Sequence, residues 1–166
     1  MKLLQGFPPV AGPDARLLIL GSMPGQASLE ADEYYAFARN AFWKIMGELF
    51  GAHPELDYAT RLEKLVGCQI ALWDVIGRCH RPGSLDSSIT ADGMITNDFE
   101  DFFARRPHIT HVCFNGQTAA RLFAQKVQPL LKRKFVYHTV PSTSPAHASR
   151  SYAAKLEAWS IIRGWL

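Results

Sequence analysis

A chain of 166 residues with 48% hydrophobic content has material for one packed core over residues 1–166, which sets aside disordered and low-complexity classes. Its formal net charge of +3 permits a polyanionic partner without requiring one. The three cysteines lack CxxC spacing, so they read as small apolar side chains in a reducing, cytoplasmic compartment. No apolar run approaches the ~20 residues of a bilayer span, and the amino-terminal residues do not form a signal peptide.

In chain order, Arg16 opens the apolar run Leu17-Leu18-Ile19-Leu20, which ends in Gly21-Ser22-Met23-Pro24-Gly25. This reads as a buried strand entering a glycine loop. A polar, aromatic segment fills residues 26–39. Phe42, Ile45, Met46, Leu49 and Phe50 then recur at helical spacing, and Gly51 stops the helix. Thr60-Arg61-Leu62-Glu63 has the form of a capping box opening a short helix. Gln69-Ile70-Ala71-Leu72 reads as a second buried strand with Trp73 and Asp74 just beyond it, and residues 77–92 read as loop. Asn97, with Glu100 three residues later, caps a helix that turns Phe99, Phe102 and Phe103 inward and stops before Pro107. A third strand over 110–114 ends at Asn115-Gly116, and a helix follows over 117–127. A fourth strand over 135–140 enters Pro141-Ser142-Thr143-Ser144-Pro145-Ala146-His147. The last helix sets Tyr152, Leu156, Trp159 and Ile162 on one face.

Strand followed by helix, four times over, predicts a three-layer α/β fold: a central four-stranded parallel sheet flanked by helices. Ligands of such sheets bind beyond the carboxyl ends of the strands. That places the chemistry on loops 21–25, 73–81, 115–116 and 141–147.

Each loop admits a functional and an ordinary reading. Gly21 and Gly25 allow close backbone approach to a ligand or simply make a tight turn, and the loop is neither a P-loop nor a dinucleotide fingerprint. Tyr34, Tyr35, Phe37, Phe42 and Trp43 cluster around Arg39 and Asn40; a tyrosine there suits stacking on a base, while Asn40 suits a helix cap. Asn115 is a turn residue or helix cap, or an amide reading the edge of a base. The hydroxyls and N–H groups of loop 141–147 suit phosphate oxygens, with His147 and Arg150 close by, or form a plain connection into the last helix. Neither HExxH nor GxSxG is present and the histidines are dispersed, so no metal site is expected.

Together these segments resemble the uracil-DNA glycosylase superfamily, and within it the DNA-deoxyinosine (hypoxanthine-DNA) glycosylase branch. The resemblance rests on LILGSMPGQASLEADEYYAFARNAFWKIMGELFG (18–51), ALWDVIGRCHRPGSLDSSI (71–89), CFNG (113–116) and VPSTSPAH (140–147). It implies a flipped-out base, no metal or cofactor, and hydrolysis without a lysine imine. It implies a base pocket built from Gly21, Ser22, Met23, Pro24, Tyr35 and Trp73, with Tyr35 stacking on the base. Ser142, Thr143, Ser144, His147 and Arg150 would hold the DNA backbone, and Asn40 and Asn115 would be the catalytic pair. Met23 stands where uracil-excising relatives carry Asp or Asn, and Val140 where they carry His or Asn, so uracil is expected to be a poor substrate. The implied activity is removal of hypoxanthine from double- or single-stranded DNA containing deaminated bases, in base-excision repair, by a monomer. Asp74 and Asp86 stand as alternative carboxylates. A broader uracil or mismatch glycosylase, a non-catalytic nucleic-acid-binding domain and a hydrolase of free nucleosides are the competing readings.

Overall fold

The computed structural model describes residues 2–166. Its strands are β1 (Leu3–Gln5), β2 (Leu17–Gly21), β3 (Ile70–Asp74), β4 (Ile76–His80), β5 (Ile95–Thr96), β6 (His111–Asn115) and β7 (Val136–Val140). Its helices are α1 (Gln26–Ala31), α2 (Phe42–Phe50), α3 (Tyr58–Gly67), α4 (Phe99–Ala104), α5 (Gln117–Lys126) and α6 (Tyr152–Trp159).

The central sheet has four parallel strands in the order β3-β2-β6-β7, as the repeated strand–helix pattern predicts. Alternation along each strand divides the core in two. Leu18, Leu20, Ala71, Val112 and Phe114 face Phe99, Phe102 and Phe103 of α4 and Phe123 of α5. Leu17, Ile19, Ile70, Leu72 and Cys113 face Phe42, Ile45 and Met46 of α2 and Trp159 of α6. β2 is therefore apolar at every position before its glycine, because both of its faces are covered. Full burial of each such side chain is worth roughly 1.5–3 kcal/mol.

Register matters most at the carboxyl edge. Gly21 pairs with Asp74 across β2 and β3, and Asn115 pairs with Val140 across β6 and β7. Four loops therefore leave the sheet at one level.

α2 ends as its sequence predicts, with Gly51 at φ 77° and its N–H bonded to the Gly47 carbonyl. Several expectations are corrected. α3 is capped by Asp57, whose Oδ1 accepts from the Thr60 N–H at 2.8 Å; the Thr60–Glu63 box lies inside the helix. α4 is capped by Asp98, which accepts from the Asp101 N–H, and Asn97 instead donates to the Asp74 carbonyl at 2.7 Å. The segments read as loop over 73–81 and 77–92 contain β4, which pairs antiparallel with β1 and β5 in a second, small sheet. The last helix tightens after Trp159 into a 3-10 segment, Ser160–Trp165, which keeps Ile162 buried.

Candidate active site

A cleft of about 1250 Å³ opens along the carboxyl edge of the central sheet. It is lined by Gly21, Ser22, Met23 and Pro24, by Tyr35 and Asn40, by Asp74, Asp86 and Asn115, and by Ser142, Thr143, Ser144, His147 and Arg150. The fold thus brings together residues more than a hundred positions apart in the chain. Trp73 is the exception among the expected site residues. It does not line the cleft: its ring packs against Phe99 and Phe102 with centroids 4.9 Å apart in each case, and its indole N–H donates to the Phe7 carbonyl at 3.0 Å. It is a core residue, and its assignment to the base pocket is corrected. Alternation explains the error: Trp73 and Asp74 are adjacent, so they leave the strand on opposite faces.

Asn115 and the backbone just after Asn40 converge on Thr143. Asn115 Nδ2 donates to Thr143 Oγ1 at 3.0 Å, and its Oδ1 accepts from the Thr143 N–H at 2.9 Å. The Thr143 carbonyl in turn accepts from the Ala41 N–H at 3.0 Å. Thr143 is buried, so loop 141–147 is pinned to both β6 and the entrance of α2. An amide carries two donor hydrogens and an oxygen with two lone pairs. Asn115 therefore keeps one donor and one acceptor position beyond the Thr143 clamp. Asn40 Oδ1 accepts from the Phe42 N–H at 2.9 Å, a cap-like bond. Its Nδ2 has no partner among the described residues. Gly116 makes this convergence possible, because it sits at φ 96° and a Cβ there would lie 3.0 Å from Ser142 Cβ.

Tyr35 adopts φ 56°, a left-handed conformation that a side chain disfavours. Its ring stacks on Phe42 with centroids 3.9 Å apart and an interplanar angle of 25°. The hydroxyl is buried without a hydrogen-bond partner. Burial, then the neighbouring Asp74 charge, push its ionisation well above the ordinary phenol range, while the Asn115 side chain beside it opposes the rise.

Asp74 is 4% exposed, and its Oδ2 has no partner. Burial pushes its carboxyl from 3.8 up to about 7; the Asp86 charge adds to the rise and Arg81 opposes it. Sequence reasoning gave this residue only an alternative role, because desolvation is invisible without the fold.

Residues 81–88 fold back over the first glycine loop, an arrangement the sequence did not disclose. Arg81 donates to the carbonyls of Pro24 and Gly83, at 2.7 and 2.9 Å. Ser84 Oγ accepts from the Gln26 N–H at 2.8 Å, and Ser22 Oγ donates to Asp86 Oδ1 at 2.6 Å. The one available signal was the turn-forming Arg81-Pro82-Gly83-Ser84.

Loop 141–147 is held by short-range bonds in which Ser142 and Ser144 hydroxyls accept from the N–H groups of Ser144 and Ala146. Lys155 Nζ and Trp159 Nε1 donate to the carbonyls of Ser144 and Pro141. Arg150 is exposed at the rim, and His147 is half-buried with Nε2 3.4 Å from Ser149 Oγ. Among the described residues no lysine lines the cleft, and no group of three or more His, Cys, Asp or Glu side chains is arranged to hold a metal ion.

The family model described as "Uracil DNA glycosylase superfamily" matches residues 8–163. A protein named hypoxanthine DNA glycosylase from Methanosarcina barkeri (strain Fusaro) is 33% identical over 158 residues, covering 94% of this chain and 95% of that protein. A protein of the same name from Methanosarcina acetivorans is 32% identical over 160 residues, covering 95% and 96%. A solution NMR structure of a Methanosarcina acetivorans protein provisionally assigned as a uracil DNA glycosylase superposes with a TM-score of 0.81 at 29% identity, over 99% of both chains. With the same sheet, and with the family's pattern running from the first glycine loop past the serine-rich loop, the chain belongs to the uracil DNA glycosylase superfamily.

Proposed function

We propose that the chain is a monofunctional DNA glycosylase that extrudes deoxyinosine from DNA and hydrolyses its N-glycosidic bond, releasing hypoxanthine and leaving the strand intact. The observation that carries the reading is the cleft floor. Asn115, Tyr35 and Asn40 line it together, while Met23 and Val140, both nearly buried, leave the positions beside them apolar. The two Methanosarcina relatives named hypoxanthine DNA glycosylase, alike over nearly their whole length, support the same substrate.

Extrusion of a nucleotide costs a few kcal/mol, and less where pairing is already weak. Tyr35, backed by Phe42, offers a stacking surface for the extruded base. The spare donor and acceptor of Asn115 suit the amide-like edge of hypoxanthine. The second lone pair of Asn40 Oδ1 orients a water toward the sugar carbon. An amide is no general base at neutral pH, so the acceleration comes from positioning the water and from stabilising an oxocarbenium-like state. Ser142, Ser144, His147 and Arg150 hold the distorted backbone, whose contacts are to phosphate and sugar; Thr143, expected among them, is buried and bonded to Asn115 and Ala41, and sets the shape of the loop instead. Three free cysteines suit a reducing, cytoplasmic setting. No helix among the described residues is long and apolar enough to cross a membrane.

The test uses end-labelled duplexes carrying one inosine or one uracil, with free inosine alongside. Hypoxanthine is released from the duplex, strand breaks appear only after alkali, uracil is released far more slowly, and free inosine is left intact. Breaks without alkali, equal or faster uracil release, or hydrolysis of free inosine in place of the duplex would each defeat the reading.

A further inference from the structure

Two buried polar atoms in the cleft floor have no hydrogen-bond partner: Asp74 Oδ2 and the Tyr35 hydroxyl. They flank one glycine. A Cβ on Gly21 would lie 2.5 Å from Asp74 Oδ1 and 3.1 Å from the Tyr35 hydroxyl, so a larger residue there would displace them. An unpaired buried polar group costs about 1–3 kcal/mol, more if charged. The fold nonetheless holds Asp74 firmly. Its backbone is in register with Gly21, and its carbonyl accepts from Asn97 at 2.7 Å. The nearby Arg81 is engaged with the Pro24 and Gly83 carbonyls, and among the described residues no cation forms an ion pair with Asp74.

We propose that Asp74 is the general acid of the reaction, giving its proton to a ring nitrogen of the departing purine. The inference rests on the reading that the chain removes hypoxanthine, and it supplies what the two asparagines lack. Breaking the bond between the sugar C1′ and the base N9 leaves the electron pair on the purine. The Asp74 O–H bond breaks as an N–H bond forms on the ring, so the base departs neutral. Water adds its oxygen to C1′, and the proton it sheds restores the Asp74 carboxyl. One water is consumed, and hypoxanthine and an abasic hydroxyl sugar are the products.

The surroundings suit a carboxyl that stays protonated near neutrality. Burial and the Asp86 charge raise it to about 7, against the opposing pull of Arg81. The other ionisable neighbours, Tyr34 and Tyr35, are held neutral by their own burial. A general acid works best when its ionisation lies near the working pH, and such a group contributes ~100-fold or more to rate.

The experiment is single-turnover base release from an inosine duplex, from about pH 5 to about pH 9, for the wild type, Asp74→Asn and Asp86→Asn. Melting temperature and duplex affinity are recorded for each. The wild-type rate is level on the acid side and falls above about pH 7, as the carboxyl loses its proton. Asp74→Asn is ~100-fold slower or more, and its profile is flat. Asp86→Asn keeps an acceptor for Ser22 yet removes a negative charge facing Asp74, so the falling limb moves to lower pH. Carbon-13 NMR of the free protein, following the Asp74 carboxyl, gives a midpoint well above the ordinary carboxylate range without reference to activity. Wild-type-like release by a folded Asp74→Asn, an unchanged limb in that variant, or an ordinary carboxyl midpoint overturns the proposal. A wild type that releases no hypoxanthine overturns the parent reading, and this one with it.

Discussion

Asn40 and Asn115 each do structural work, and of different amounts. Asn40 contributes one bond, to the Phe42 N–H, and loss of such a cap costs about 1 kcal/mol. Asn115 contributes two, both to Thr143, and at about 1 kcal/mol each its loss costs roughly 2 kcal/mol. A part in the reaction predicts a different scale, since removing a positioned polar group slows chemistry ~100-fold or more. Asn40→Ala and Asn115→Ala are therefore expected to melt lower, Asn115→Ala the more so, while both lose base release out of proportion to stability. Single-turnover rates set beside melting curves and duplex affinity check this. Activity that falls only in step with the folded fraction would return both asparagines to purely structural roles.

The loops and strands around these residues were unequally legible in the sequence. β2, β3 and the middle of β6 announced themselves because strands covered on both faces are continuously apolar, β7 at the sheet edge was marked by its β-branched and aromatic residues, and the loops at their carboxyl ends followed from topology. β4 did not. Its Ile76-Gly77-Arg78-Cys79-His80 lies in a small sheet with an exposed side, and its partners β1 and β5 are three and two residues long, too short for any period to register. The caps of α3 and α4 were misplaced because more than one residue able to cap stood near each start, and only geometry chooses between them. In the site, residue types were readable, but side-chain direction was not, as Trp73 and Asp74 demonstrate. Gly116 belongs to both lessons: the sequence showed it only as the end of a strand, and it proves to be the point where α5 and the serine-rich loop meet. Gly116→Ala would strain a backbone at φ 96° and press a methyl on Ser142. We expect a loss on the order of 1–3 kcal/mol, together with weaker binding to an inosine duplex as loop 141–147 is displaced. Melting temperature and duplex affinity measure the two effects, and unaltered values in both would show that the loop is not set by this contact.

The stability of the whole molecule should carry the mark of Asp74. Its carboxyl has a folded-state pKa of about 7 against an ordinary 3.8. Below the ordinary value the carboxyl is protonated in both states and does not affect the balance. Between the two values the folded state holds a proton that the unfolded chain has released, so the folded state binds more protons and stability falls as pH rises. Above about 7 both states are ionised, and the full cost of a buried, unpartnered carboxylate is present. Asp57 acts in the opposite sense. Its capping bonds to Thr60 hold its carboxyl below the usual range, so its contribution is present above the ordinary pKa and lost as pH falls. Asp74→Asn isolates the first effect. Asparagine carries costs of its own in that site, but they do not vary with pH, so the test lies in the slope. The melting temperature of Asp74→Asn minus that of the wild type should rise from about pH 4 to about pH 7 and level off beyond. At roughly 2–4 °C per kcal/mol for a domain of this size, the rise amounts to several degrees. A difference constant across that range would mean that Asp74 titrates alike in the folded and unfolded chain, and that the cleft floor does not hold its proton.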